Sequence, residues 1–264
     1  MLTKKIPATI CGIILAAGAG KRMKSSLPKV LHPFAGKTLL EQVLDRLKAT
    51  GLERLCVVLS PQLAPFATFI AKHPEINICI QKTANGTGGA LGASAPNFLH
   101  CSSPTFAADA VLHQGHTMEC THVLVCYGDT PLLDPTILSA FMAHCLSQDA
   151  DLGVLGVHMP QPQGYGRLLL GQQQELLAIR EERDASSLEK EITLCNTGIY
   201  FAKQKVLFES LKELNTQNTQ QEYYLTDSVA VLKRNPQHKL VVFESSQWRS
   251  FMGVNTQEEL QQIQ

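Results

Sequence analysis

The chain has 264 residues, 44% of them hydrophobic and 17% charged. That is enough apolar surface for one large folded unit, and it excludes global disorder. The 23 basic and 23 acidic residues cancel to a net charge of zero, so neither nucleic acid nor an anionic membrane is implied as a partner.

In chain order, Met1-Leu2-Thr3-Lys4-Lys5 is a basic start, followed by an apolar run over 10–17. That run is too short to span a bilayer and reads as a strand, over 9–15, rather than as a signal peptide. Thr38-Leu39-Leu40-Glu41 is a capping box that opens a helix to about Ala49, and Gly51 stops it. Strands are predicted at 55–59 and 76–80, with a helix over 62–72 between them. A short helix is predicted at 88–95, a strand at 122–127 ended by Gly128-Asp129, and a helix at 137–146. This alternation predicts an α/β fold with a Rossmann-like, mostly parallel central sheet and helices on both faces.

The second half has a different rhythm. Strands are expected at 152–157, 167–170, 176–180, 194–201 and 240–243, and helices at 206–213 and 225–233. These read as extra strands and loops laid over the first half, not as an independent domain. Residues 96–120, with His100, His113, His116, Cys101 and Cys120, read as a surface loop, because their spacings match no metal-ligand pattern. None of the eight cysteines forms a C-x-x-C pair. Cys11, Cys56, Cys79 and Cys126 lie in apolar runs, as reduced core thiols of a cytoplasmic protein would. The domain is read as 1–255. Residues 256–264 start a helix that is never capped, which reads as a linker to a further segment.

Two constellations carry chemistry. After the first strand comes Leu15-Ala16-Ala17-Gly18-Ala19-Gly20-Lys21-Arg22-Met23, then Pro28-Lys29. Gly18 and Gly20 let bare backbone N–H groups approach a phosphate, and Arg22 and Lys29 add positive charge. The spacing is not that of a Walker loop. Met23 stands where a dinucleotide fingerprint needs its third glycine, which argues against an NAD(P)-dependent dehydrogenase. The second constellation is Tyr127-Gly128-Asp129 at the carboxyl end of a strand. A carboxylate there is placed to hold a hard cation such as Mg²⁺.

Taken together, the chain resembles the uridylyltransferase domain of N-acetylglucosamine-1-phosphate uridylyltransferases, in the sugar-nucleotidyltransferase superfamily. The resemblance rests on LAAGAGKRM, LPKVLHPFAGKTLLEQVL, Gln81 with Gly86-Thr87-Gly88, and YGDTPLL. It continues through Gly164-Tyr165-Gly166-Arg167, Glu181-Glu182-Arg183-Asp184-Ala185, Cys195-Asn196-Thr197-Gly198-Ile199-Tyr200, Glu222-Tyr223-Tyr224-Leu225-Thr226-Asp227 and Gly253-Val254-Asn255.

The resemblance implies transfer of a uridylyl group from UTP to N-acetylglucosamine 1-phosphate with Mg²⁺, in a cytoplasmic and homo-oligomeric enzyme that makes a cell-wall precursor. It implies that Leu15, Ala16, Ala17 and Gly18 hold the nucleotide while Gln81, Gly86 and Thr87 read the uracil. Arg22 and Lys29 would neutralise the triphosphate, with Tyr127, Gly128 and Asp129 beside it. Asp129 and Asn255 would ligate Mg²⁺, and Gly166, Glu181 and Asn196 would bind the acetylated amino sugar. The stretch 96–120 is longer than is usual in the family. The hexapeptide repeats of an acetyltransferase half are absent from this chain, so that activity has no support here. The rival readings are a relative that takes another base or sugar, and a catalytically silent sugar-nucleotide binder. The retained Arg22, Lys29, Asp129 and Asn255 speak against the silent binder.

Overall fold

The computed structural model describes residues 9–18, 20–98, 106 and 110–263. The strands are β1 (Ile10–Leu15), β2 (Pro33–Phe34), β3 (Lys37–Thr38), β4 (Leu55–Leu59), β5 (Asn77–Gln81), β6 (Ala110–Gln114), β7 (His122–Tyr127), β8 (Leu152–His158), β9 (Arg167–Leu170), β10 (Leu176–Arg180), β11 (Leu194–Lys203) and β12 (Leu240–Ser245). The helices are α1 (Leu39–Lys48), α2 (Ala67–Lys72), α3 (Thr87–Ala93), α4 (Pro135–Ser147), α5 (Ser187–Lys190), α6 (Gln204–Ser210), α7 (Asp227–Lys233) and α8 (Gln257–Gln262).

One sheet carries the order β10-β9-β11-β7-β1-β4-β5-β6, with β8 pairing both β11 and β12. β7-β1-β4-β5 are parallel, as are β8 and β12. β11 then runs antiparallel to β7, β8 and β9, and β6 antiparallel to β5, so the whole sheet is mixed.

Alternation along β1 explains how both faces are covered. Cys11, Ile13 and Leu15 face a core completed by α3, α6 and α7. Ile14 and Ala16 face a second core built with α1, α2 and α4. Strands buried on both faces read as continuous apolar runs, which is why β1, β4 and β7 stand out in the sequence. The capping box that opens α1 is present: Thr38 Oγ1 accepts from Glu41 N at 3.1 Å, and Glu41 Oε2 accepts from Thr38 N at 2.8 Å.

Three expectations need correction. Residues 96–120 are not all loop: Ala110–Gln114 is an edge strand, and Phe98 bridges Met118. His113 and His116 are exposed, and no group of three or more His, Cys, Asp or Glu residues that could hold a metal occurs among the described residues; His100 and Cys101 lie outside them. The helix expected over 62–72 splits into a 3₁₀ turn at Ala64–Phe66 and α2, since Pro65 sits at its start. The helix expected at 206–213 starts earlier, at Gln204, and tightens into a 3₁₀ turn at Leu211–Glu213. Among the described residues no helix is long and apolar enough to cross a membrane.

Candidate functional site

A cleft of about 620 Å³ opens over the carboxyl ends of β1, β5 and β7, the end of an open α/β sheet where ligands bind. Its first wall is the turn after β1, with Leu15, Ala16, Ala17 and Gly18, followed by Arg22 and Lys29. Each cation sits on a short 3₁₀ turn, Lys21–Met23 and Lys29–Leu31.

The floor of this end comes from both halves of the chain. Lys29 Nζ forms an ion pair with Asp129 Oδ2, and also donates to Asn255 Oδ1 at 3.0 Å. Arg22 donates to the same Asn255 oxygen at 2.9 Å. The backbone ties that bring Asn255 here are Val254 N to Asp129 O at 2.8 Å and Asn255 N to Glu259 Oε2 at 2.6 Å. Thr256, not Asn255, caps α8. The Lys29 and Asp129 side chains are only 13% and 15% exposed, so the pair is screened from bulk water.

Gln81, Gly86 and Thr87 form the second end. Gln81 Nε2 donates to Asn85 Oδ1 at 2.8 Å and to Gly86 O at 3.2 Å. Both its hydrogens are thus engaged, and its carbonyl oxygen keeps acceptor capacity. The segment 222–225 straps this turn down: Tyr223 N donates to Asn85 O and Gly88 N to Tyr223 O, both at 2.8 Å, and Leu225 N donates to Thr87 Oγ1 at 3.0 Å. Gly86 has φ +105°, and a Cβ there would meet Tyr223 O at 2.5 Å. Tyr127 stands between the two ends and hydrogen-bonds Thr87; burial pushes its phenol well above the ordinary range.

The third end holds Gly166, Glu181 and Asn196. Glu181 accepts from Thr226 Oγ1 at 3.0 Å. Burial raises its carboxyl above the ordinary range, and the charges of Asp227 and Asp184 add to the shift while the Thr226 bond opposes it. Glu181 is therefore enclosed at the cleft wall and is not a solvated charge. Behind it Arg167, 1% exposed, pairs with Glu182 at 2.8 Å. Asn196 N donates to Gly166 O at 2.8 Å, which joins two of the three residues directly.

Of the candidate site residues singled out in the sequence, Gly20 and Gly128 are missing from the cleft lining; Gly20 lines an adjoining pocket with Gly18, Arg22 and Lys29, while Gly128 lines neither. Gly128 lies beneath, where a Cβ would press on Ala16, Leu40 and Val30 at 3.1–3.3 Å. Its size lets β7 approach the phosphate turn, but it offers no wall. The cleft also uses residues given no role beforehand: Thr130, Tyr165, Thr197, Tyr224 and Phe251. Thr130, Tyr165, Thr197 and Tyr224 sit inside strings that carried the resemblance, but nothing in their residue types marked them.

The sequence pattern of the MobA-like NTP transferase domain matches residues 12–193. The "Bifunctional protein GlmU" of Syntrophomonas wolfei is 35% identical over 255 residues, covering 97% of this chain and 52% of that protein. The protein of the same name from Cupriavidus necator is 36% identical over 252 residues, covering 96% and 50%. The chain spans about half the length of these curated relatives. Among solved structures, a Bacillus anthracis protein assigned as a glucose-1-phosphate thymidylyltransferase superposes with a TM-score of 0.69 at 20% identity, covering 96% of this chain and 93% of that one. HddC from Yersinia pseudotuberculosis, complexed with GMP-PN, superposes at 0.61 with 19% identity, covering 96% of each. At these identities the structural likeness speaks for the fold alone. The chain belongs to the MobA-like NTP transferase family, and over nearly its whole length it is similar to about half of proteins named GlmU.

Proposed function

We propose that this cleft transfers a uridylyl group from UTP to N-acetylglucosamine 1-phosphate, forming UDP-N-acetylglucosamine and pyrophosphate. The observation that carries the reading is the convergence of Lys29, Arg22, Asp129 and Asn255 on one point, in a cleft that also holds Gln81, Gly86 and Thr87 and Gly166, Glu181 and Asn196.

A sugar 1-phosphate carries close to two negative charges at pH 7, since its second pKa is about 6. Its oxygen is already a nucleophile, so no general base is needed. It attacks the α-phosphorus of UTP in line; the new O–P bond forms, the bond to the β-phosphate oxygen breaks, and pyrophosphate takes the electron pair. The barrier is repulsion between two polyanions, so the work is positioning and charge neutralisation. Lys29 and Arg22 supply fixed cations, and the backbone from Leu15 to Gly18 holds the phosphates.

Asp129 and Asn255 offer two hard oxygens that already share one ammonium, a donor set that fits Mg²⁺, with water and phosphate completing its shell. When bound, Mg²⁺ would supply further neutralisation of the triphosphate. At the base end, an acceptor such as the Gln81 carbonyl suits the N3–H of uracil and opposes the lone pair at N3 of cytosine. At the sugar end, Glu181 suits hydroxyl donors and Asn196 an acetamido group.

A nucleotide panel tests the assignment of the base. Pyrophosphate release with N-acetylglucosamine 1-phosphate and Mg²⁺ should be fastest with UTP and weakest with CTP and the purine nucleotides. Equal rates across the panel would refute it.

A further inference from the structure

β11 carries an irregularity at the sugar end of the cleft. Asn196 is opposite Gly156 of β8 and Tyr200 is opposite Val154, so residues 197–199 stand where β8 offers only Leu155. Gly198, with φ +78°, takes the bend. Thr197 Oγ1 closes it by donating to Leu155 O at 2.7 Å and accepting from Ile199 N at 3.3 Å. In an unbroken strand, positions four apart are about 13 Å apart. Here Asn196 Nδ2 donates to the Tyr200 hydroxyl at 2.7 Å.

A carboxamide has two donors and two lone pairs. Asn196 gives one N–H to Tyr200, and its Oδ1 accepts from Gly198 N at 3.0 Å. The Gly198 N–H therefore fixes which amide atom is the oxygen, and Tyr200 fixes the rotation of the group. One N–H and one lone pair remain, at a residue that lines the cleft. Tyr200 itself is 1% exposed and sits in the apolar core. Burial pushes its phenol far above the ordinary range, so it stays a neutral, fixed anchor.

We infer that Tyr200 is a positioning residue for sugar recognition: its hydroxyl locks the Asn196 carboxamide so that the N–H left over is presented to the carbonyl of an acetamido group. A hydroxyl in place of the acetamido group ends short of that carbonyl position, and a site whose buried polar group is left unpaired discriminates against the analogue. This inference rests on the reading that this end of the cleft takes a sugar phosphate.

The test compares wild type, Tyr200→Phe, Asn196→Ala and the double variant on N-acetylglucosamine 1-phosphate and glucose 1-phosphate. Tyr200→Phe should raise KM for the acetylated sugar about five- to tenfold, the loss of one hydrogen bond. KM for UTP should be unchanged, and the preference for the acetylated sugar should shrink. In the Asn196→Ala background the same change should do nothing further. An unchanged sugar preference, or an equal loss with and without Asn196, would overturn the inference. A second readout needs no turnover: the Asn196 side-chain amide hydrogens, followed by NMR, should exchange slowly in wild type and fast in Tyr200→Phe. Equal exchange rates would also overturn it. A wild-type protein inert toward both sugars would instead defeat the uridylyl-transfer reading, while the exchange comparison still decides the tether.

Discussion

The ammonium of Lys29 lies 3.0 Å from the Oδ1 of Asn255, a residue 226 positions further along the chain. Its other partner is the carboxylate of Asp129, on the loop after β7. Three separate segments thus meet at one charged point, and the turn after β1 faces it. That arrangement ties the turn after β1 to the candidate metal ligands.

Replacing Asp129 by Asn keeps the shape and removes the charge. Pyrophosphate release at fixed Mg²⁺ should fall by about a hundredfold or more, the scale of losing one preorganised electrostatic contact. UTP affinity, measured by calorimetry, should fall much less. A near-normal rate would count against Asp129 as a metal ligand.

Lys29→Ala should cost about 2–4 kcal/mol of transition-state stabilisation, again by analogy with a lost preorganised donor. It also leaves Asp129 with a partly buried charge and no ammonium beside it. The ratio of kcat/KM values for wild type and variant gives the first quantity. A loss below about threefold would show that Lys29 only steadies the loop.

Glu181 links the sugar end to pH. Its carboxyl is raised above the ordinary glutamate value of 4.5 by burial, with Asp227 and Asp184 adding to the shift. The native state therefore holds this proton at pH values where the unfolded chain has lost it. Stability is full below the unfolded value and declines as pH rises through the folded one. The melting temperature of Glu181→Gln should gain on wild type as pH rises, and the two should converge below about pH 4.5. A difference constant across pH would contradict this.

Gly86→Ala meets two obstacles. Its φ of +105° is strained for any side chain, and the new Cβ would press on Tyr223 O at 2.5 Å and Glu222 Cβ at 2.9 Å. The strap over the base end should loosen, at a cost of about 1–3 kcal/mol of stability, with a raised KM for UTP. Unchanged melting and KM would show that the strap does not shape the base end.

Much of this was legible from residue patterns, and the failures have physical causes. β1, β4 and β7 are apolar on both faces, so their runs announce themselves, and the Thr38/Glu41 capping box announces α1. β6 was missed because an edge strand needs no such run: Ala110–Gln114 alternates exposed and half-buried positions and holds two polar residues. Arg22, Lys29 and Asp129 carry charge at strand ends, where charge is informative. The tether from Tyr200 to Asn196 was hidden, because it exists only through the slip of β11 against β8; Gly198 hints at an irregular strand but not at which side chains the slip brings together. Glu181 stands in a string of charged residues, and the packing of Thr226 and Arg167 around that string, which no residue type announces, removes it from water.

The most direct test of the account is pyrophosphate release from UTP and Mg²⁺ with N-acetylglucosamine 1-phosphate set beside glucose 1-phosphate. Turnover of the acetylated sugar at a kcat/KM at least about tenfold higher is expected, the worth of roughly one amide hydrogen bond and its desolvation. Equal turnover of the two sugars, or none with either, would contradict it.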